Sequence, residues 1–66
     1  MSYIEIEKEG VIYAAEYFYE GNELSVVGNG GVETVFLNNM QETHAAKTGL
    51  RNLIRQGKAF TKEELE

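Results

Sequence analysis

Apolar and polar residues alternate along the first half of the chain in a pattern that predicts β-strands. Tyr3–Glu7 alternates strictly and carries its isoleucines on one face, which is typical of a half-buried strand at a sheet edge. Val11–Tyr19 is apolar on both faces, with Glu16 as its only charge. A strand with two apolar faces is expected at the centre of a sheet. We therefore predict a central strand over 11–20 beside an edge strand over 2–7.

Turn residues divide the remainder of this half into two further strands. Gly10 and Gly21–Asn22 mark turns on either side of the central strand, and Asn29–Gly30 is a strong hairpin signal. The segments between these turns predict strands over 23–28 and 32–37. Four consecutive strands joined by short turns predict an antiparallel meander in the order 1-2-3-4.

The second half predicts one helix over 40–57. Asn39 followed by Glu42 has the form of a capping box, and Gly57 is a favourable residue just beyond a helix C-terminus. One arc of this helix is apolar and is expected to cover one face of the sheet. The predicted fold class is α+β: a four-stranded antiparallel β-meander with one C-terminal α-helix packed on one face, in a single small domain of residues 1–66.

Helix-start residues recur at the end of the chain. Thr61 and Glu64 form a second capping-box pattern between Phe60 and Leu65, which predicts a short turn over 61–65. This turn either docks its two apolar residues on the core, which we favour, or frays in solution. The predicted core combines apolar residues from the strands and the helix: Ile4, Ile6, Val11 or Ile12, Leu24, Val26, Phe36, Ala46, Leu50, Leu53 and Ile54. Which face of the central strand meets the helix stays open, because a one-residue register shift exchanges the faces.

Composition removes several functional classes. The 66 residues contain no cysteine and one histidine, which excludes disulfides and thiolate metal sites and disfavours a zinc site, so no metal or cofactor is expected. So small a chain buries little apolar surface, and association is a remaining way to gain stability. The N-terminus lacks the features of a signal peptide and no apolar run is long enough to span a bilayer. We expect a cytoplasmic protein without membrane contact.

Catalysis is not indicated. His44 is the only imidazole; Glu42, two residues away, points elsewhere on a helix, and Thr48 at i+4 is the best helical neighbour of the histidine. No Gly-x-Ser-x-Gly elbow is present, and the glutamates do not follow the spacing of a calcium loop. The sequence therefore predicts a protein that is not an enzyme.

Positive charge is concentrated in the helix although the net charge is -5. Five of the six lysines and arginines lie between Lys47 and Lys62, and seven of the eleven acids precede Asn38. The candidate anion-binding residues form one helical arc: Lys47, Arg51, Arg55 and Lys58. They suggest binding of nucleic acid or another polyanion. We favour the alternative that they cover the edges of the apolar arc and pair with acids of the sheet, because nucleic-acid modules usually add exposed aromatic residues.

The second candidate surface is the aromatic central strand. Its odd-numbered face carries Tyr13, Tyr17 and Tyr19, and its even-numbered face carries Ile12 and Phe18. Tyrosine is enriched at protein interfaces. The leading hypothesis is a small non-catalytic protein-interaction module that forms a homodimer through one of these faces or binds another protein, and polyanion binding is the alternative.

Overall fold

The computed structural model describes residues 2–66, which adopt the α+β fold predicted from the sequence. The elements in chain order are β1 (Ser2–Lys8), β2 (Val11–Glu20), β3 (Glu23–Val27), β4 (Val32–Phe36), α1 (Glu42–Arg55), β5 (Phe60–Thr61) and α2 (Lys62–Leu65). The four long strands form the predicted antiparallel meander, in the spatial order β1-β2-β3-β4.

Strand β2 is central, and its two neighbours cover different lengths of it. β1 pairs with it from Ser2↔Tyr17 to Lys8↔Val11, whereas β3 pairs only with its last four residues. The uncovered stretch is occupied by β5, through the pairs Tyr13↔Thr61 and Ala14↔Phe60. This fifth strand was not predicted, because two residues are too few to show an alternating pattern.

Helix α1 packs on the odd-numbered face of β2. Directly paired residues of antiparallel strands project to the same face, so the pairs Ile4↔Ala15 and Tyr17↔Val26 define that face across three strands. All four side chains are buried. The full core cluster is Ile4, Ala15, Tyr17, Leu24, Val26, Ala45, Ala46, Leu50 and Leu53. The choice that the sequence left open is thereby made: the tyrosine-bearing face meets the helix.

The ends of α1 differ in how well local sequence predicts them. The helix begins after Gln41, which makes no side-chain cap, so the predicted capping box at Asn39 is wrong. Asn38 and Asn39 instead adopt positive φ values of 42° and 69° in the preceding turn, a region that asparagine tolerates. At the other end Gly57 adopts a φ of 73°, as expected. Its N–H donates to the carbonyl of Ile54 (3.0 Å), which closes the last turn.

A glycine inside α1 allows the helix to approach the sheet closely. A Cβ atom added to Gly49 would lie 2.6 Å from Cγ2 of Val26 and 3.5 Å from Cγ2 of Val35. Ala45 and Gly49 are both buried, so the small-residue side of the helix faces β3 and β4. Glycine in a helix costs about 1 kcal/mol relative to alanine, and here the closer packing of the helix on the sheet opposes that cost.

The core prediction holds for Ile4, Leu24, Val26, Ala46, Leu50 and Leu53, which are all buried. It is wrong for Val11, Ile12 and Phe36, which are exposed. Phe36 follows Val35, which packs against the core, so Phe36 projects from the other face of the sheet. Ile12 lies on that other face too, and Val11 is at the end of β2. Ile6 and Ile54 are half-buried against the core.

Candidate interaction surfaces

The face of the sheet opposite α1 carries most of the exposed apolar surface. Residues 2–66 have seven large apolar side chains that are exposed, and strand alternation places five of them on this face. We call it the open face; its exposed apolar residues are Tyr3, Ile12, Phe18, Val32 and Phe36. Each directly adjoins, along its strand, a residue that projects toward α1.

The C-terminal turn covers only part of the open face. Ala14 projects there yet is only 3% exposed, because β5 pairs beside this part of β2 and α2 packs against it. The predicted capping box is confirmed: the Glu64 N–H donates to Thr61 Oγ1 (3.2 Å), and the Thr61 N–H donates to Glu64 Oε1 (2.8 Å). An ion pair of 3.3 Å between Lys62 Nζ and Glu5 Oε2 links the turn to β1. The turn therefore packs against β2, but Phe60 and Leu65 are only half-buried and lie outside the core cluster on which docking was expected.

Acidic residues share the open face with the apolar ones. Glu16 pairs with Tyr3, and Glu20 pairs directly with Glu23 across β2 and β3. Like charges opposite one another on neighbouring strands are destabilising. Within residues 2–66 the only ion pair is that between Lys62 and Glu5, so these three acids are not neutralised by a salt bridge there. The open face is both aromatic and negatively charged.

The predicted tyrosine row is divided between the core and the surface. Tyr17 is only 4% exposed beneath α1, and its hydroxyl donates to Glu42 Oε2 at 2.9 Å. Burial raises the pKa of Tyr17 above its usual value, and the hydrogen bond to Glu42 and the charge of that carboxylate raise it further. Tyr13 is half-buried against the core, whereas Tyr19 is exposed. Tyr17 is thus buried within one chain, and the accessible members of the predicted interface are Tyr19 on the α1 side of the sheet and Ile12 and Phe18 on the open face.

Only three of the four residues of the predicted basic arc lie on the helix. Lys47, Arg51 and Arg55 are exposed on α1, but Lys58 lies beyond the helix, where its side chain runs beside Gly31 in the β3–β4 turn. In residues 2–66 none of these cations forms a salt bridge with the sheet, although such pairing was the favoured interpretation. Arg55 instead donates from Nη2 to Oδ1 of Asn52 at 2.8 Å.

A groove runs between the end of β1 and the last turns of α1. Its volume is about 470 Å³. The lining residues come equally from strand and helix: Ile6, Glu7, Lys8, Arg51, Ile54 and Arg55. We call it the β1–α1 groove. It joins two arginines of the predicted arc to a lysine that sequence reasoning did not associate with them.

Three residues of the open face were also missed from the sequence. Tyr3 was assigned to the solvated face of an edge strand, Val32 to no site, and Phe36 to the core. Strand alternation would have grouped them with Phe18, but only once the pairings across both hairpins were known.

The metal-binding side-chain types and His44 can also be located in the structure. Within residues 2–66 no three side chains of the metal-binding types come together. His44 is exposed, and its backbone carbonyl, rather than its imidazole, accepts a hydrogen bond from Thr48 Oγ1 at 3.1 Å. No helix of residues 2–66 is both long and apolar enough to cross a membrane.

Comparison with protein-family models, curated proteins and solved structures finds no match to this chain. Its surfaces are therefore the basis on which a function can be proposed.

Proposed function

We propose that the protein is a non-catalytic interaction module that self-associates as a homodimer through the open face. The observation that carries the proposal is the segregation of exposed apolar residues, five of seven of which project from this face. Scattered surface hydrophobic residues are ordinary, but their concentration on one face of a small protein is typical of an interaction site.

The open face lies on the broad side of a protein that measures 31 × 21 × 20 Å, and α2 covers the part of it around Ala14. Stable interfaces bury about 800 Å² per partner, so the dimer would use most of the remaining face. Tyr3, Phe18 and Phe36 come from three different strands of this face. Aromatic residues of this kind supply a large share of the binding energy at interfaces.

The acids of the open face make the homodimer hypothesis especially testable. A two-fold interface brings the same patch of both copies together, so Glu16, Glu20 and Glu23 of one copy approach those of the other. Salt screens repulsion between exposed charges, with a Debye length of about 10 Å at 0.1 M. We therefore expect the dimer to tighten as salt is added, and a dimer that weakens with salt would contradict this geometry.

The deciding experiment compares two neighbouring residues of β2. Phe18 and Tyr19 are 52% and 55% exposed but project from opposite faces. Sedimentation equilibrium across a concentration series should show a dimer for the wild type and for Tyr19→Glu, and a monomer for Phe18→Glu. Circular dichroism melts establish that both variants are folded. A wild type that stays monomeric, or equal effects of the two variants, would reject the homodimer, and in the first case the open face becomes a candidate site for a different protein.

Polyanion binding through the helix is the second candidate. It is favoured by one observation: Lys47, Arg51 and Arg55 have no salt-bridge partner within residues 2–66. Binding of DNA or RNA by these cations should weaken steeply with salt because counterions are released, which is opposite in sign to the dimer's response. The double variant Arg51→Glu with Arg55→Glu should abolish a gel shift at low salt. Absence of any shift with the wild type would remove this candidate.

A further inference from the structure

The β1–α1 groove combines cations with an apolar floor at the β1 edge of the molecule, and of its lining only Glu7 belongs to the open face. We propose that it binds a small amphiphilic anion, consisting of a phosphate or carboxylate head joined to a short apolar tail. This site is independent of the proposed dimer.

The head of such a ligand matches the cations of the groove. Arg51 and Arg55 are four residues apart on α1 and therefore neighbours on one helical face, and Lys8 faces them from β1. Glu7 is the only acid in the lining, so the groove is positive in a chain whose net charge is -5. Guanidinium groups bind carboxylate and phosphate oxygens through paired hydrogen bonds.

Two further observations indicate that these cations are ready to bind. Within residues 2–66 no salt bridge engages Arg51, Arg55 or Lys8, so an incoming anion has no carboxylate to displace from them. The hydrogen bond from Arg55 to Asn52 (2.8 Å) restrains the arginine side chain while leaving its other N–H donors available. Restraint before binding lowers the entropy lost when the ligand arrives.

The tail matches the floor of the groove. Ile6 and Ile54 both line it, and both are half-buried against the hydrophobic core. A volume of about 470 Å³ is within the range of small-molecule sites. An inorganic anion would leave this apolar surface uncovered, and the phosphates of a polynucleotide would not contact it. The combination therefore favours a ligand that carries both groups.

The proposal is tested by NMR titration of the full chain with hexyl phosphate, butyl phosphate, inorganic phosphate and hexanol at one low salt concentration. Hexyl phosphate should shift the amide resonances of Ile6, Lys8 and Ile54 and should bind at least about tenfold more tightly than inorganic phosphate or hexanol. Each methylene fully removed from water contributes roughly fourfold in affinity, so butyl phosphate should bind between these limits.

Matched variants locate the site. Arg51→Gln combined with Arg55→Gln should lose the shifts, whereas Lys47→Gln, which changes a cation of the same arc outside the groove lining, should retain them. Phe18→Glu should also bind normally, because it alters only the open face.

Several outcomes would overturn the proposal. One is an affinity for hexyl phosphate that equals that for inorganic phosphate, since the apolar floor would then contribute nothing. A second is binding that the double arginine variant retains, or resonance shifts spread evenly over Lys47, Lys58 and Lys62, which would indicate unspecific attraction. The polyanion candidate would be favoured instead by two results together. The same arginines would bind single-stranded DNA in a salt-sensitive manner, and the affinity for alkyl phosphates would not depend on the length of the alkyl chain.

Discussion

The two faces of the sheet are formed by the same four long strands, but the face toward α1 is buried and the open face is largely exposed. On the face toward α1, Leu24 and Val26 are completely buried beneath the helix. On the open face, Phe18 and Phe36 remain about half exposed, and α2 covers only the neighbourhood of Ala14. An apolar composition therefore does not decide which face of a strand is buried. The face is decided by which element packs against it.

This difference also shows where further burial of apolar side chains could stabilise an association. Complete burial of a large apolar side chain contributes about 1.5–3 kcal/mol relative to exposure. The residues facing α1 gain that free energy within one chain. Those of the open face gain only part of it, and the remainder is available to a second molecule.

The largest expected effect is a difference in the free energy of unfolding between two variants, one from each face of the sheet. Leu24→Ala leaves a cavity beneath α1 and should lower the free energy of unfolding by about 2–5 kcal/mol, whereas Phe18→Ala should lower it by less than about 1 kcal/mol because its side chain is half in solvent. Urea unfolding at a concentration too low for association measures both. Equal losses would show that the open face is packed within the monomer.

The close approach of α1 to β3 makes Gly49→Ala the next test. The new methyl group would meet Val26, so we expect a loss of about 1–3 kcal/mol from overpacking, although alanine gains about 1 kcal/mol in helix propensity. The double variant with Val26→Ala should lose less than the two single variants together, which urea unfolding of all three would reveal. A more stable Gly49→Ala protein would mean that the helix lies farther from the sheet.

Tyr17 provides a test that depends on pH. Its raised pKa means that the folded state favours the protonated phenol, so its contribution to stability is complete below the ordinary tyrosine value of about 10 and is lost as pH rises through the higher folded-state value. Tyr17→Phe should cost about 1 kcal/mol at neutral pH and should flatten the alkaline decline of the unfolding free energy. Tyr19→Phe is the matched control. An unchanged alkaline decline in Tyr17→Phe would contradict this assignment.

The smallest effect is expected at the C-terminal turn on the open face. Thr61→Ala removes the N-cap hydrogen bond of α2 and should cost about 0.5–1 kcal/mol. Hydrogen exchange should accelerate for residues 62–65 and for the β5 pairing with β2, while the amides of α1 keep their protection. Faster exchange throughout the sheet would instead make the turn part of the main cooperative unit.

Some of these features follow from local sequence. The alternation of Tyr3–Glu7, the Asn29–Gly30 turn and the Gly57 helix end each depend on a few neighbouring residues, so their predictions hold. The same is true of the Thr61 capping box, whose two hydrogen bonds form within four residues. Consecutive strands with short turns leave little choice of order, and the antiparallel meander was predictable for that reason.

Other features depend on the tertiary structure alone. Strand alternation has a period of two, so both faces of β2 were plausible until α1 packed against Tyr17 and left Phe18 outside. The approach of Gly49 to Val26 and the placement of Lys8 and Arg51 along one groove bring together residues distant in the chain, which no local pattern relates. The sequence by itself determined the four long strands, the main helix and their order, because these arise from short-range preferences. The tertiary structure decided which surfaces stay free, because burial depends on where the helix docks.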